Sequence, residues 1–406
     1  FSGQACGDAA AYQDPGPTAC EDEASPGELL ASGGAHSCAV QEDVLVRCWG
    51  YNGHGQVGDN STTQRTSPKT INSGTSYSQV SVGKHHACGI TTTNLVKCWG
   101  YNDYGQIGDN TTTSPRLIPT AINDADTYID ISAGRFATCG ITSSNVLKCW
   151  GYNNHYQLGL NDTTQRESPT VVDAGVGYID VEIGDDRACA ITENNKLKCW
   201  GHLKQGGGYY QLPIIIDEEE NYQSVSARMG THYCALTTDN RTKCWGNNYL
   251  GQVGISGGSV EVPSDIDSDL SFSKVVVGDY NTCGLQVNGV PLCWGLNFKN
   301  MLGTTGGGIP MSTPTIVDSG TTYEKVEVGS SAYDSNTVCG ITSGNKLRCW
   351  GNNLFGSVGD GTLYNRFSPV DVDTETQYSS LSFSQFSFWM SELVACGITS
   401  TGEFKC

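Results

Sequence analysis

Charge is scarce in this sequence, and positive charge is scarcer still. Only 16% of the 406 residues are Asp, Glu, Lys or Arg, and 23 Lys and Arg stand against 42 Asp and Glu, for a net charge of −19. Nucleic acids and anionic membranes both need a basic footprint, so neither is expected as a partner. The acidity instead serves solubility and self-repulsion. No apolar run approaches the eighteen or so residues of a membrane-spanning helix, and no segment carries a helical period. At 37% hydrophobic residues the chain is nevertheless too apolar for disorder. Catalytic constellations are missing as well. No Ser-His-Asp set, paired carboxylates or reactive free thiol can be placed together from the sequence, and the triple glycines at 206–208 and 306–308 precede no Lys-Ser/Thr, so phosphate cradling is unsupported. No enzyme activity and no cofactor are expected.

What the chain does have is glycine, 51 residues of it, and 18 cysteines in a repeating arrangement. Eight pairs are spaced ten residues apart: Cys38 and Cys48, Cys88 and Cys98, Cys139 and Cys149, Cys189 and Cys199, Cys234 and Cys244, Cys283 and Cys293, Cys339 and Cys349, and Cys396 and Cys406. Seven of the second cysteines are followed by Trp-Gly, and the pairs recur at intervals of 45 to 57 residues. A period near fifty marks a propeller, solenoid or array. Paired zinc ligands have two to four residues between them rather than nine, so disulfides in an oxidising compartment are the expected use of these cysteines. The first residue is Phe1, which fits removal of a signal peptide and a secreted or cell-surface location.

Residues 79–119 display one unit. Gln79-Val80-Ser81-Val82, Cys88-Gly89-Ile90-Thr91 and Leu95-Val96-Lys97-Cys98 alternate like strands, and a weaker fourth segment surrounds a later proline, as in Pro314-Thr315-Ile316-Val317. Four short strands per repeat make a propeller blade. Residues ten apart face each other across an antiparallel hairpin, so each pair is expected to be a disulfide within one blade, contributing about 2–3 kcal/mol by loop closure. Cys6 and Cys20 are expected to pair with each other.

The pattern Cys-Gly-Ile-Thr…Lys-Cys-Trp-Gly-Tyr-Asn-x-x-Gly-Gln-Ile-Gly resembles the regulator-of-chromosome-condensation repeat family in an extracellular, disulfide-bearing form, over residues 28–406. The match is best in repeats one to three (Gly55-Gln56-Val57-Gly58, Gly105-Gln106-Ile107-Gly108, Tyr156-Gln157-Leu158-Gly159), and repeat four has lost the motif. The resemblance implies a seven-bladed ring. The repeat count favours eight four-stranded blades, with seven as the alternative. In the eight-bladed reading residues 1–27 supply the strand that closes the ring, or donate it to a neighbour, because Pro17-Thr18-Ala19 matches the proline-led fourth strands.

Several residue types have both a structural and a functional reading. Asn60, Asn110 and Asn161 open aligned Asn-x-Ser/Thr sequons, and Asn240 opens a fourth in a hairpin turn. They mark either N-glycans or turns of positive φ. His36, His86 and His232 each precede a first cysteine by two residues and read as structural rather than as metal ligands. The seven Cys-adjacent tryptophans read as core between blades. The acidic runs 217–220 and 265–269 read as solvated loops without calcium spacing. The expected function is that of a non-enzymatic extracellular structural protein, a glycosylated surface or filament subunit that self-associates or binds another extracellular protein. The alternative is a secreted protein-binding propeller like those that inhibit β-lactamases, and a loop face rich in exposed aromatics would favour it.

Overall fold

The computed structural model describes residues 30–405 apart from 35, 42, 205–207, 228–231, 299–301, 304–309, 332–334, 354–355, 387–391 and 402. The expected Cys6–Cys20 bond, residues 1–27, Cys406 and the glycines at 306–308 lie outside the described residues.

Short alternating segments separated by Asn and Gly fold into antiparallel meanders, strand after strand in chain order. Blade two shows the plan, with strands Tyr77–Val82, His86–Thr91, Val96–Gly100 and Arg116–Ala121. Seven sheets of the chain have four strands each. The eighth repeat forms a sheet of three described strands, Tyr378–Phe386, Glu392–Thr399 and Phe404–Lys405. The expectation of eight four-stranded blades is therefore corrected to seven, because no fourth strand pairs with Phe404–Lys405 among the described residues. The three-stranded sheet still has neighbours on both sides. Leu381 and Phe383 pack with Cys339 and Cys349 of blade seven, and Cys396 and Ile398 pack with Leu30 and Trp49 of blade one.

Each core cluster lies in the seam between consecutive blades. Between blades one and two, Val40, Val46 and the Cys38–Cys48 bridge meet Tyr77, Val80 and Trp99. Burying bridge, indole and phenol together removes a large apolar area from water, at roughly 25 cal/mol per Å². The disulfides expected within single hairpins form in all seven four-stranded blades. They join Cys38 to Cys48, Cys88 to Cys98, Cys139 to Cys149 and Cys189 to Cys199. The remaining three join Cys234 to Cys244, Cys283 to Cys293 and Cys339 to Cys349. Their Cα atoms lie 4.0–4.1 Å apart across the hairpin. Cys396 is also disulfide-bonded.

Two positional rules hold the blades alike. Six residues after the first cysteine the hairpin turns through positive φ, at Asn94, Asn145, Asn195, Asn240, Gly289 and Asn345, and Val44 occupies the same place in blade one at φ 56°. Each of the seven outer strands carries one proline, and the residue after it stands opposite the second cysteine. Examples are Cys98↔Thr120, Cys149↔Thr170, Cys199↔Ile214, Cys244↔Ser264 and Cys293↔Thr315. Proline has no N–H to offer a passing chain, so these perimeter edges are poor templates for strand addition.

Candidate functional site: an aromatic loop face

In a four-strand meander the first-to-second and third-to-fourth connections leave from the same end of the blade. On this face the residue after each Cys-Trp-Gly and the residue just before the second strand converge. In blades one to three the former are Tyr51, Tyr101 and Tyr152, and in blade four His202. The latter include His85 and Phe136. The loops add His54, Tyr104 and His155, and the start of blade four's last strand adds Tyr209.

These rings form one unbroken band across four blades. His54 lies 5.2 Å from His85 and 5.1 Å from Tyr101, centroid to centroid. Tyr104 contacts Phe136 at 5.3 Å and Tyr152 at 4.8 Å. His155 reaches Tyr209 at 5.8 Å, and His202 reaches it at 5.0 Å. Tyr51 and Tyr209, at the two ends, are 37% and 38% exposed, and the rings between them are half-buried. Edge-to-face and tilted pairs dominate, the arrangement that aromatic quadrupoles favour.

Charge is placed around the band. Arg135 lies over the Phe136 ring at 5.0 Å and pairs with Asp185 at 2.9 Å. Asp186 meets His202 Nδ1 at 3.0 Å. Burial and a hydrogen bond to Asp103 push the Tyr101 phenol well above its ordinary range. Burial, then the charges of His54, Lys84 and Arg135, pull His85 down to about 4, so its imidazole is neutral at physiological pH. The face can therefore offer apolar ring surface, phenol hydroxyls and carboxylates together. The recurring Tyr after Cys-Trp-Gly in repeats one to three and the Tyr209-Tyr210 pair were the signals in the sequence that could have found it.

The singled-out residues fall elsewhere. The disulfide cysteines take no part in the aromatic face. Cys199 packs in the core with Tyr222 and Trp245, and Cys244 packs with Phe272 and Trp294, each fully buried. Their role is to staple the hairpins of blades four and five, and the same holds for the bridges of the other blades. His36, His86 and His232 are buried in the seams, and burial holds each near 3. His86 Nε2 bonds Thr138 Oγ1 of the next blade at 2.9 Å, and His232 Nε2 bonds Thr282 Oγ1 at 2.7 Å. Among the described residues no group of His, Cys, Asp and Glu could hold a metal ion. The Cys-adjacent tryptophans are 0–4% exposed. Asn60, Asn110 and Asn161 are exposed on the outer part of the aromatic face with φ of 63°, 63° and 61°, and Gly361 takes the same turn at 75°. The acidic run at 217–220 is more than a solvated loop. Asp217 accepts hydrogen bonds from Tyr222 Oη at 2.7 Å and Lys243 Nζ at 2.9 Å, a clasp repeated at Asp124 and Asp173 on the opposite face.

The channel wall holds a second polar feature. Asp130 and Asp180 line the inner strands of blades three and four. Gln79 Nε2 donates to Asp130 at 3.0 Å, and Val225 N donates to Asp180 at 2.9 Å. Burial and the nearby Asp130 carboxylate push Asp180 up to about 7.

The family model for the regulator of chromosome condensation (RCC1) repeat matches residues 77–106, 128–157, 178–203 and 230–252, and a second model with the same description matches 46–90 and 96–141. No curated protein matches the sequence. Among solved structures, human WBSCR16 superposes with a TM-score of 0.68 at 17% identity, covering 84% of this chain and 97% of that one. Yeast RCC1 (Prp20), solved bound to Kap60, gives 0.64 at 17% identity over 85% and 87%. Prp20p from Saccharomyces cerevisiae, described with its binding properties to Gsp1p and histones, gives 0.62 at 18% over 73% and 79%. At such identities the likeness concerns the fold alone. Matched repeats and blade topology agree: the chain is a β-propeller that carries regulator-of-chromosome-condensation repeats, with disulfide-stapled blades.

Proposed function

We propose that this chain is a non-enzymatic extracellular binding propeller that docks a protein partner on the aromatic face of blades one to four. The observation carrying this reading is the continuous band from Tyr51 to Tyr209. Tyrosines supply large, rigid, amphipathic contact area at low entropic cost and dominate the hot spots of protein interfaces. Asp103, Asp185 and Asp186 beside the band and the net charge of −19 favour a partner whose contact surface is basic. Per-blade disulfides suit an oxidising location outside the cell. The test places a photo-crosslinking residue at Tyr104, and separately at Thr93 on the opposite face, in the secreted protein. The reading expects crosslinks to one partner from position 104 alone, lost when Tyr101 and Tyr152 are both changed to Ala. Equal labelling from both faces would overturn it.

Glycans on Asn60, Asn110 and Asn161 belong to the same reading, as an outer border to the docking face. Asn240 is expected to stay bare, because its Thr242 is 1% exposed with a buried hydroxyl and its own side chain accepts from Gln223. Site-resolved glycopeptide mass spectrometry of protein secreted from eukaryotic cells checks both halves of this expectation.

A second reading is a structural subunit that self-associates by strand exchange, and the eighth sheet favours it. Its outer described strand, Phe404–Lys405, has no proline-bearing partner among the described residues. The sequence expectation that residues 1–27 supply such a strand, in the same chain or to a neighbour, gives this reading its donor. Light scattering at high concentration with and without residues 1–27 separates the two readings. A mass that stays monomeric in both removes the filament.

A further inference from the structure

A carboxylate appears once at a loop position of the aromatic face that other blades leave uncharged. In five blades a buried asparagine opens the turn after Cys-Trp-Gly, at Asn52, Asn102, Asn153, Asn248 and Asn297. The residues that follow it are, in turn, Gly53, Asp103, Asn154, Tyr249 and Phe298. Of these five blades only blade two places a charge there, and Asp103 is exposed.

Asp103 sits between two rings of the band. The Tyr101 phenol lies against its carboxylate. The Tyr101 and Tyr104 centroids are 6.0 Å apart at an interplanar angle of 68°, so the two rings form the walls of a corner. Tyr152, 4.8 Å from Tyr104, extends one wall. The turn that carries them is pinned from within. Asn102 Oδ1 accepts from Ile107 N at 2.9 Å, and Asn102 Nδ2 donates to Thr111 O at 3.0 Å. Tyr104 N donates to Gln106 Oε1 at 3.1 Å, and Gly105 N donates to Asn102 O at 3.1 Å. A corner held in this way is ordered before anything binds, which removes part of the entropic cost of binding.

The same band already seats one guanidinium of its own. Arg135 lies 5.0 Å over the Phe136 ring while its Nη1 meets Asp185 at 2.9 Å. Ring and carboxylate act together there: the cation stacks on the π face, and its N–H groups reach the oxygen. The Tyr101–Tyr104 corner offers the same two groups. Arg116, the arginine of blade two, is taken by Asp109, and among the described residues no Lys or Arg pairs with Asp103. We propose that the corner of Tyr101, Asp103 and Tyr104 seats one arginine side chain of the docked protein, its guanidinium stacked on a tyrosine face and paired with the Asp103 carboxylate. This rests on the reading of the face as a docking surface and names the group that anchors there. Lysine is a poor substitute, because a compact, strongly hydrated ammonium has no plane to stack and no bidentate edge.

The test uses the full chain with tyrosine rings labelled for NMR, assigned through Tyr101→Phe and Tyr104→Phe. The probe is a pentapeptide with one central arginine among glycines, compared at fixed ionic strength with its lysine and uncharged citrulline analogues. The arginine peptide should shift the Tyr101 and Tyr104 signals saturably and bind about fivefold more tightly than either analogue. Asp103→Asn should weaken it by about the same factor, whereas Asp269→Asn, an equal change of charge on the opposite face, should leave it unaltered. Equal affinity for arginine and lysine, or equal losses in the two variants, would overturn the proposal in favour of unspecific attraction to an acidic protein. Crosslinks from position 104 without arginine selectivity would remove this anchor alone. Selective arginine binding without any crosslinked partner would remove the docking reading and leave the arginine site standing.

Discussion

The seams between blades two and three and between blades four and five share strand topology and cysteine register, yet close differently. In the first, Gln106 O accepts from both Trp150 Nε1 and Thr138 Oγ1 at 2.9 Å, and Thr138 in turn meets His86 Nε2. In the second, the Gly-Gln-x-Gly motif is lost, and Trp245 and Tyr233 keep buried polar atoms without partners among the described residues. The backbone of a blade is therefore interchangeable around the ring, and its polar closure is not. The strand pattern sets where a blade sits, and the loop ahead of it covers the indole edge without always supplying an acceptor, since Trp294 lies under Gly254 with its Nε1–H unpartnered among the described residues.

Acid should separate the seams most strongly. His36, His86 and His232 are held near 3 by burial, below their ordinary value of 6.5. The unfolded chain takes up protons below pH 6.5 that the folded chain refuses, so stability falls with pH at about 1.4 kcal/mol per unit for each histidine. Asp180 acts in the opposite sense. Its folded carboxyl sits at about 7, above the unfolded value, so its contribution grows as pH falls from 7 towards 4. With His85, held near 4 by burial, counted as a fourth histidine, the net expectation is a loss of about 5 kcal/mol between pH 7 and pH 5, read by denaturant unfolding. His86→Gln should recover about 2 kcal/mol of that loss. An unchanged acid limb in the variant would show that the seam histidines do not control it.

Replacing the indoles tests the comparison directly. Trp150→Phe should cost about 3 kcal/mol, because volume and a made hydrogen bond are both lost. Trp245→Phe should cost about 1 kcal/mol, because removing an unpartnered N–H offsets part of the lost packing. Equal losses in thermal unfolding would mean the two seams are energetically alike.

Smaller gains come from repairing odd members of the repeat. Among the described residues neither ring nitrogen of His36 has a partner, and the residue facing it by repeat position is Ala87 rather than a threonine. Ala87→Thr should supply the missing hydroxyl and raise stability by about 1 kcal/mol. Val44 holds a φ of 56° where the other described hairpins use Asn or Gly. Val44→Asn should raise stability by about 0.5–1 kcal/mol, and a lower melting temperature would refute strain at that turn.

Much of this fold was legible in spacing. Ten-residue cysteine pairs locate the hairpins, and the proline after each Cys-Trp-Gly locates the outer strand. Even in blade four, where the loop motif is gone, Cys189 and Cys199 still mark the hairpin, as Cys234 and Cys244 do in blade five. The number of complete blades was not legible, because a repeat can supply cysteines and a first strand without a fourth strand to pair with. The aromatic face was hidden for another reason. Tyr104, Phe136 and Tyr152 belong to two different repeats and two kinds of loop, and only the ring brings them within 6.3 Å of one another. The unpartnered indole of Trp245 goes with the missing Gly-Gln motif of repeat four, but a sequence does not say what replaces a lost acceptor.

The bridges that span each hairpin also govern how the protein meets proteases. Every described tip, such as the turn around Asn94, lies inside a ten-residue loop closed by its own disulfide. A cut at a tip opens the turn but releases no fragment, since the two ends stay joined by sulfur and by the strands on either side. A chain nicked at all seven such tips would keep its mass and its ring until a reductant arrived, so proteolytic damage would accumulate without loss of shape.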